Sequence, residues 1–328
     1  MTRTRLVATA ARWAAALFLV ALAASAMAQE KYPSRPVTLV VPQAPGGAND
    51  AIARIVAQKL TEQLGQQFIV DNRPGAGGNI GTAAAAKARP DGYTLLLTVN
   101  SAHVINPALY KSTGFDPVKD FEPVTPVATA GYVLVANNSF PARNVAEMVT
   151  VAKTQPGRIT IASAGNGTLN HLIGEMLQRA TGIELVHVPY KGAAPATTDI
   201  VGGQIPVAIL GLGAIMPHIR SGRLRGIAVL SAQRSAALPD VPTLYESGIK
   251  FDATQWYGIL TTAGTPAEVI AQVQAAIRRA AADAGVRERL IALGGEPTSS
   301  TPEEYAALIR SETEKFAKVI KDANIKAD

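Results

Sequence analysis

Strand-like runs alternate with helical stretches twice along this chain, and that alternation limits the fold more than any other feature of the sequence. Residues 37–42, 67–72 and 93–99 make a first series of β-like runs. Between them, residues 49–64 place Ile52, Ile55, Val56, Leu60 and Leu64 at helical spacing, with Gly65 where a helix C′ residue belongs. Residues 79–88 are alanine-rich and predict a helix buried against the sheet. A second series follows at 132–136, 158–163, 184–189, 205–211 and 224–231, again with helical stretches between. Strands separated by helices pair in parallel through right-handed crossovers. Two such series in 328 residues predict an α/β protein of two lobes, each built on a parallel-type sheet.

Local signals fill in the frame. Asn144 with Glu147 reads as a capping box, and Thr168 is placed to open a helix with Leu169, Leu172, Ile173, Met176 and Leu177 on its apolar face. Thr265-Pro-Ala-Glu268 and Thr301-Pro-Glu-Glu304 both read as N-cap, proline at N1 and glutamate at N3, so the tail is expected to be helical. Residues 115–127 and 251–265, rich in Pro, Thr and Gly, are expected to cross between the lobes. The division expected is a leader over 1–28, the first part of lobe 1 over 29–128, lobe 2 over 129–251, and a return crossing with C-terminal helices, mainly lobe 1, over 252–328.

The leader is read from its three zones. Residues 1–12 are basic, residues 13–24 are apolar, and Ala26-Met27-Ala28 supplies a small-x-small cleavage site. Twelve helical residues reach about 18 Å, short of a hydrocarbon core of roughly 30 Å, so a secretory signal peptide is expected rather than an anchor. The chain has no cysteine to carry a lipid at that site. The mature protein should be soluble, and periplasmic where the cell has two membranes.

Charge becomes informative once the leader is set aside. Of 31 Lys+Arg, three (Arg3, Arg5, Arg12) lie in it, so the formal charge of +6 becomes +3 against 25 Asp+Glu. That bias is too weak to imply nucleic acid, and no basic run is interleaved with aromatics. The lack of cysteine also removes disulfide scaffolds, zinc fingers and thiol catalysis.

In open parallel sheets, ligands bind where the loops after the strands gather. Three of these loops are unusual here: Pro42-Gln-Ala-Pro-Gly-Gly-Ala-Asn-Asp50, Asn72-Arg-Pro-Gly-Ala-Gly-Gly-Asn-Ile-Gly81 and Ser163-Ala-Gly-Asn-Gly-Thr168. Each leads into a helix N-terminus, where backbone N–H groups and the helix dipole attract an anion. One such loop could be no more than a tight turn; three from both series point to a shared anion cleft. A dinucleotide site does not fit the spacing. Gly75, Gly77 and Gly81 are one residue too far apart, and Asn170 and Met216 stand where third glycines would follow Gly165–Gly167 and Gly211–Gly213. The chain contains no P-loop, G-x-S-x-G elbow or H-E-x-x-H. His171 and Glu175 share a helix face but read as a surface pair rather than a metal site. His187 reads as a satisfied core or loop-facing residue. Lys191 is either a rim charge or a solvated lysine, and Arg73 either follows the strand into the cleft or braces its turn. Trp256-Tyr257 read as hinge packing. No catalytic residue, metal or cofactor is expected.

Several of these segments together resemble one family. Tyr32-Pro-Ser-Arg-Pro-Val37, Val41-Pro-Gln-Ala-Pro-Gly-Gly-Ala-Asn-Asp50, Val70-Asp-Asn-Arg-Pro-Gly-Ala-Gly-Gly-Asn79, Ala88-Arg-Pro-Asp-Gly-Tyr93, Val188-Pro-Tyr-Lys-Gly192 and Leu238-Pro-Asp-Val-Pro-Thr243 are similar to the tripartite tricarboxylate transporter substrate-binding proteins, the Bug family. The resemblance spans the mature chain. It implies a type II periplasmic-binding-protein fold, with two lobes joined by two crossings and a cleft that closes on a small carboxylate. By matching motif it implies that Gly46, Gly47, Asn49 and Asn79 hold one carboxylate from the first lobe. Ser163, Asn166 and Thr168 would contact the rest of the ligand, with Tyr190 and Gly192 nearby; Asp50 would cap rather than touch it. One departure stands out. Ala208-Ile-Leu-Gly-Leu-Gly213 lacks the aspartate or other polar residue that many relatives carry there, which favours a plain carboxylate over an amino acid and leaves room for a bulkier acid.

The function expected is therefore an extracytoplasmic solute-binding protein, not an enzyme, acting as a monomer that captures a small organic acid by lobe closure for membrane permease subunits. The alternative is a periplasmic co-sensor that presents the bound solute to a sensor kinase ectodomain.

Overall fold

A computed structural model describes residues 32–326 apart from positions 236 and 252. The expected leader lies outside the described residues. The first sheet takes β1 (Val37–Val41), β2 (Phe68–Asn72), β3 (Thr94–Val99), β4 (Phe121–Ala130), β10 (Gln255–Thr262) and the short β11 (Glu296–Pro297), in the order β11-β4-β10-β3-β1-β2. The second takes β5 (Tyr132–Asn137), β6 (Thr160–Ser163), β7 (Val186–Pro189), β8 (Val207–Gly211) and β9 (Leu224–Val229), ordered β7-β6-β8-β5-β9. The protein is thus a two-sheet α/β structure, as the alternation requires.

The helices fall between the strands: α1 (Ala48–Leu64), α2 (Asn79–Ala86), α3 (Asn106–Leu109), α4 (Val145–Thr154), α5 (Leu169–Thr181), α6 (Ala193–Val201), α7 (Leu212–Arg220), α8 (Ala267–Ala282), α9 (Ala284–Ala292) and α10 (Pro302–Ala323). Gly65 closes α1 in the left-handed conformation, with its N–H on the Thr61 carbonyl, as its position predicts. Thr301 and Glu304 form the full capping box of α10. Thr265 does not cap α8: the hydroxyl donates to the Thr262 carbonyl at 2.7 Å, and Pro266 occupies the cap position without a side-chain bond.

One feature differs from the sequence reading. The two segments expected to cross between lobes are largely the strands β4 and β10, paired antiparallel along almost their whole length. Prolines are tolerated there because the register slips between Tyr257 and Gly258 and again between Ile259 and Leu260, opposite Pro126 and Pro123. The slips leave Val127 and Val124 without a partner on β10, each beside a proline that has no N–H to give the ladder. The chain passes from the first sheet to the second through the single residue Gly131, and returns through residues 230–254.

These passages decide where the functional loops go. β10 runs against β3 and β4, and β5 runs against β8 and β9, while β1, β2 and β3 are mutually parallel, as are β6, β7 and β8. Each passage therefore leaves the carboxyl edge of one sheet and enters at the carboxyl edge of the other. The loops after β1 and β2 are brought to the same side of the molecule as the loops after β6, β7 and β8. A core cluster continues through both halves, from Val40 and Leu96 to Leu134, Leu172 and Ile209, closed by Tyr305, Ile309 and Phe316 of α10.

Candidate ligand-binding site

At the carboxyl edge of the first sheet, the loop after β1 enters α1 through Gly46, in the left-handed region at φ +87°, and Gly47, which caps without a side chain. The Gly46 N–H donates to Asp50 Oδ2 at 3.0 Å. Asp50 is buried and ion-paired to Arg54, whose hydrogen bond holds its carboxyl below the usual range. Asp50 therefore takes a capping role, as expected, and takes up an amide expected to face an anion. Asn49 follows on the first turn, half-buried.

The loop after β2 carries Gly75, Gly77 and Gly78 at positive φ and delivers Asn79 as the first residue of α2. Asn79 is 4% exposed. Its Oδ1 accepts Asn106 Nδ2 at 2.8 Å, and the same nitrogen donates to the Gly77 carbonyl at 3.0 Å. The Asn79 Nδ2 is buried and has no hydrogen-bond partner. Asn79 also lines a cavity of about 460 Å³ with Ile80, Lys87 and Tyr110. The two loops meet at Gly78, where a Cβ would lie 3.3 Å from both Gln43 Nε2 and the Pro42 carbonyl.

At the edge of the second sheet, Ser163 ends β6 almost wholly buried. Its hydroxyl lies 2.6 Å from His187 Nε2 and accepts the Gly165 N–H at 3.1 Å. Thr168 precedes α5, but its hydroxyl donates to the Gly165 carbonyl at 2.7 Å rather than capping the helix. Asn166 Nδ2 donates to the Lys326 carbonyl at 3.0 Å. The Tyr190 N–H donates to the Ser163 carbonyl and the Gly192 N–H to the Ala164 carbonyl, which joins the loop after β7 to the loop after β6. The Tyr190 hydroxyl donates to Asp199 Oδ2 at 2.7 Å; burial and that carboxylate push it up to about 12. Lys191 is exposed.

The expected residues thus fall in two groups, one per sheet. A bridge runs through α3: Asn106 holds Asn79, and Leu109 lies against Gly167. Asn106 lies outside the glycine-rich loops, and a helix start marked Asn-Pro is its only signal in the sequence. His171 keeps the expected Glu175 neighbour at 3.8 Å and His187 is satisfied by Ser163, but the two histidines also meet each other. His171 is 9% exposed, not on the surface, and its ring stacks on His187 at 3.8 Å with 9° between planes. Arg73 pairs with Asp71 at 2.7 Å and braces its turn. Trp256 is buried in β10.

Residues 52–325 match the model of the tripartite tricarboxylate transporter family receptor. Protein BugT of Bordetella pertussis is 36% identical over 305 residues, covering 92% of this chain and 94% of BugT. A protein of R. palustris solved with adipate is 33% identical with a TM-score of 0.77, covering 90% of this chain and 99% of that one. MatC from Rhodopseudomonas palustris with bound malate is 30% identical with a TM-score of 0.73, covering 88% and 100%. A family match over most of the chain and full-length relatives above 30% identity agree with the two-sheet fold and its loop edge: this chain belongs to the tripartite tricarboxylate transporter receptor family, the Bug proteins.

Proposed function

We propose that this receptor captures a small organic carboxylate in the periplasm and presents it to the membrane subunits of a tripartite tricarboxylate-type transporter, as a monomer and without making or breaking a bond. The observation that carries this reading is the Asn79 amide. A buried donor with no partner is costly, and here it sits at the N-terminus of α2, where the backbone already favours negative charge. A carboxylate oxygen supplies the missing acceptor. Gly46, Gly47 and Asn49 belong to the same pole of the site. Asn166 and Thr168 with Tyr190 and Gly192 form the opposing wall, and Ser163 shapes that wall from beneath. The adipate and malate bound by the two R. palustris relatives support an aliphatic acid. Closure of the two halves replaces the ligand's water by amide and hydroxyl donors.

The test is native mass spectrometry of residues 29–328 taken from cells, followed by calorimetric titration with malate and adipate. A co-purifying acid, or saturable binding of either probe, is expected. Absence of both, together with no thermal shift across a panel of aliphatic and aromatic carboxylates, overturns the reading. Ligand at 100 times Kd should add about 2.7 kcal/mol of stability, which a melting curve resolves.

A further inference from the structure

The loop between β6 and α5 has little in its own sequence to fix its shape. Two of its glycines, Gly165 at φ +146° and Gly167 at φ +68°, adopt backbone conformations that glycine visits freely and leaves freely. The Thr168 hydroxyl is turned back onto the loop instead of capping the helix. Bonds within the loop from Ser163 and Thr168 to Gly165 are joined by two attachments from outside it. The Gly167 N–H donates to His171 Nδ1 at 3.1 Å, so an imidazole one turn into α5 serves as the cap. The other end is held through Ser163, whose hydroxyl accepts the Gly165 N–H and lies 2.6 Å from His187 Nε2 on β7.

These two attachments are one unit, because the His171 and His187 rings are stacked face to face. With Gly167 donating to Nδ1, a neutral His171 carries its proton on Nε2, which faces Glu175 Oε1 at 3.8 Å. The space beside the rings is about 10 Å³, room for one water at most, and Ser163, His171 and His187 all line it. The loop carries further structure in turn, since the Ser163 and Ala164 carbonyls hold the Tyr190 and Gly192 amides.

We propose that His187 and His171 are positioning residues of the binding site: a stacked imidazole pair that clamps both ends of the 163–167 loop and, through it, the 190–192 turn. Their importance for ligand rests on the carboxylate reading above; their effect on the loop does not.

The experiment therefore reads both, on residues 29–328. Amide hydrogen exchange of Gly165 and Gly167 is followed by NMR in ligand-free protein, and malate and adipate are titrated separately. His187→Phe keeps a ring for stacking but removes Nε2, and His187→Gln returns a hydrogen-bonding group without the ring. Exchange at Gly165 should rise roughly tenfold in the Phe variant and return to within about threefold of the parent in the Gln variant, as loss and recovery of one hydrogen bond implies. Affinity for whichever probe binds should follow the same order. Ser163→Ala removes the acceptor of the Gly165 N–H itself and gives the full release against which the His187 variants are read, with His187→Leu replacing a Phe variant that fails to fold. Unchanged exchange in His187→Phe, or a Gln variant no better than Phe, overturns the clamp. Altered exchange with affinity unchanged overturns its role in binding. If exchange responds as expected and no carboxylate binds, the clamp stands and the carboxylate reading falls.

Discussion

Trp256 Nε1 donates to Glu312 Oε2 at 2.7 Å, tying the strand β10 to the long helix α10 inside the protein. The indole also meets the Tyr305 ring edge-on at 5.3 Å, so one tryptophan anchors two turns of that helix. Glu312→Ala leaves the indole N–H buried without an acceptor and should cost about 1–3 kcal/mol in urea unfolding. Glu312→Gln keeps an acceptor and should recover most of the loss. Equal stability of all three proteins would show that the bond contributes nothing.

His103 sets a pH limit on the fold. It is fully buried against Phe115, Phe121 and Trp256, with Nε2 on the Pro117 carbonyl at 2.9 Å. Burial pushes its pKa down to about 4, with the carbonyl acting weakly the other way. The unfolded chain binds a proton near pH 6.5 that the folded protein refuses, so this contribution is complete above that pH and is lost as the pH falls toward 4. The loss is on the order of 3 kcal/mol. Urea midpoints from pH 7.5 to 4 should fall more steeply in the parent than in His103→Leu; parallel slopes would exclude His103 as the source.

Gly81 and Gly182 should respond differently to the same methyl group. At Gly182 the backbone is left-handed at φ +63° and nothing lies near the new Cβ, so alanine costs only the conformational strain, about 1 kcal/mol. At Gly81 the new Cβ would lie 2.6 Å from the Arg73 carbonyl and 2.8 Å from the Pro42 Cα, both backbone atoms at the ends of β2 and β1. Gly81→Ala should therefore lose more than about 2 kcal/mol and disturb both loops of the first sheet. Thermal melts of the two variants decide this, and a Gly81→Ala melt matching that of Gly182→Ala would refute it.

Asn79→Leu removes the unpartnered donor and should weaken malate or adipate binding by roughly 10- to 100-fold, the range expected for a hydrogen bond to a charged group. Asn79→Asp adds repulsion and should weaken it further. Calorimetry reads both; an unaltered Kd in either would remove Asn79 from the site.

Most of the strands are legible in the sequence because each is an apolar run bounded by turn residues, and helix ends are legible where a cap is chemically distinct, as at Gly65 and Thr301. β4 and β10 are not. Pro123, Pro126 and Gly258 read as interruptions, and only the register slips of the paired structure show how a strand absorbs them. The site divides in the same way. The glycine-rich loops announce themselves, since their turns place Gly46, Gly75, Gly77, Gly165 and Gly167 at positive φ. The groups that fix those loops (Asn106, His171 and His187) are single polar residues in apolar surroundings, and nothing local distinguishes them from ordinary core polar residues. Asn106 and His187 take their roles from pairings 27 and 24 residues apart in sequence, with Asn79 and Ser163, and His171 joins them through its stacking on His187.

The insertion of β10 between β3 and β4 sets the order in which the molecule can be completed. The second sheet is assembled from one uninterrupted stretch, residues 132–229, and every pairing it needs is present once that stretch has emerged. The first sheet must wait. β3 and β4 flank a gap until residues 255–262 arrive, so until then their facing edges are open and free to pair with another chain. A newly made molecule therefore carries a finished half and an unfinished one, and the interval between them is when it most needs protection from its neighbours.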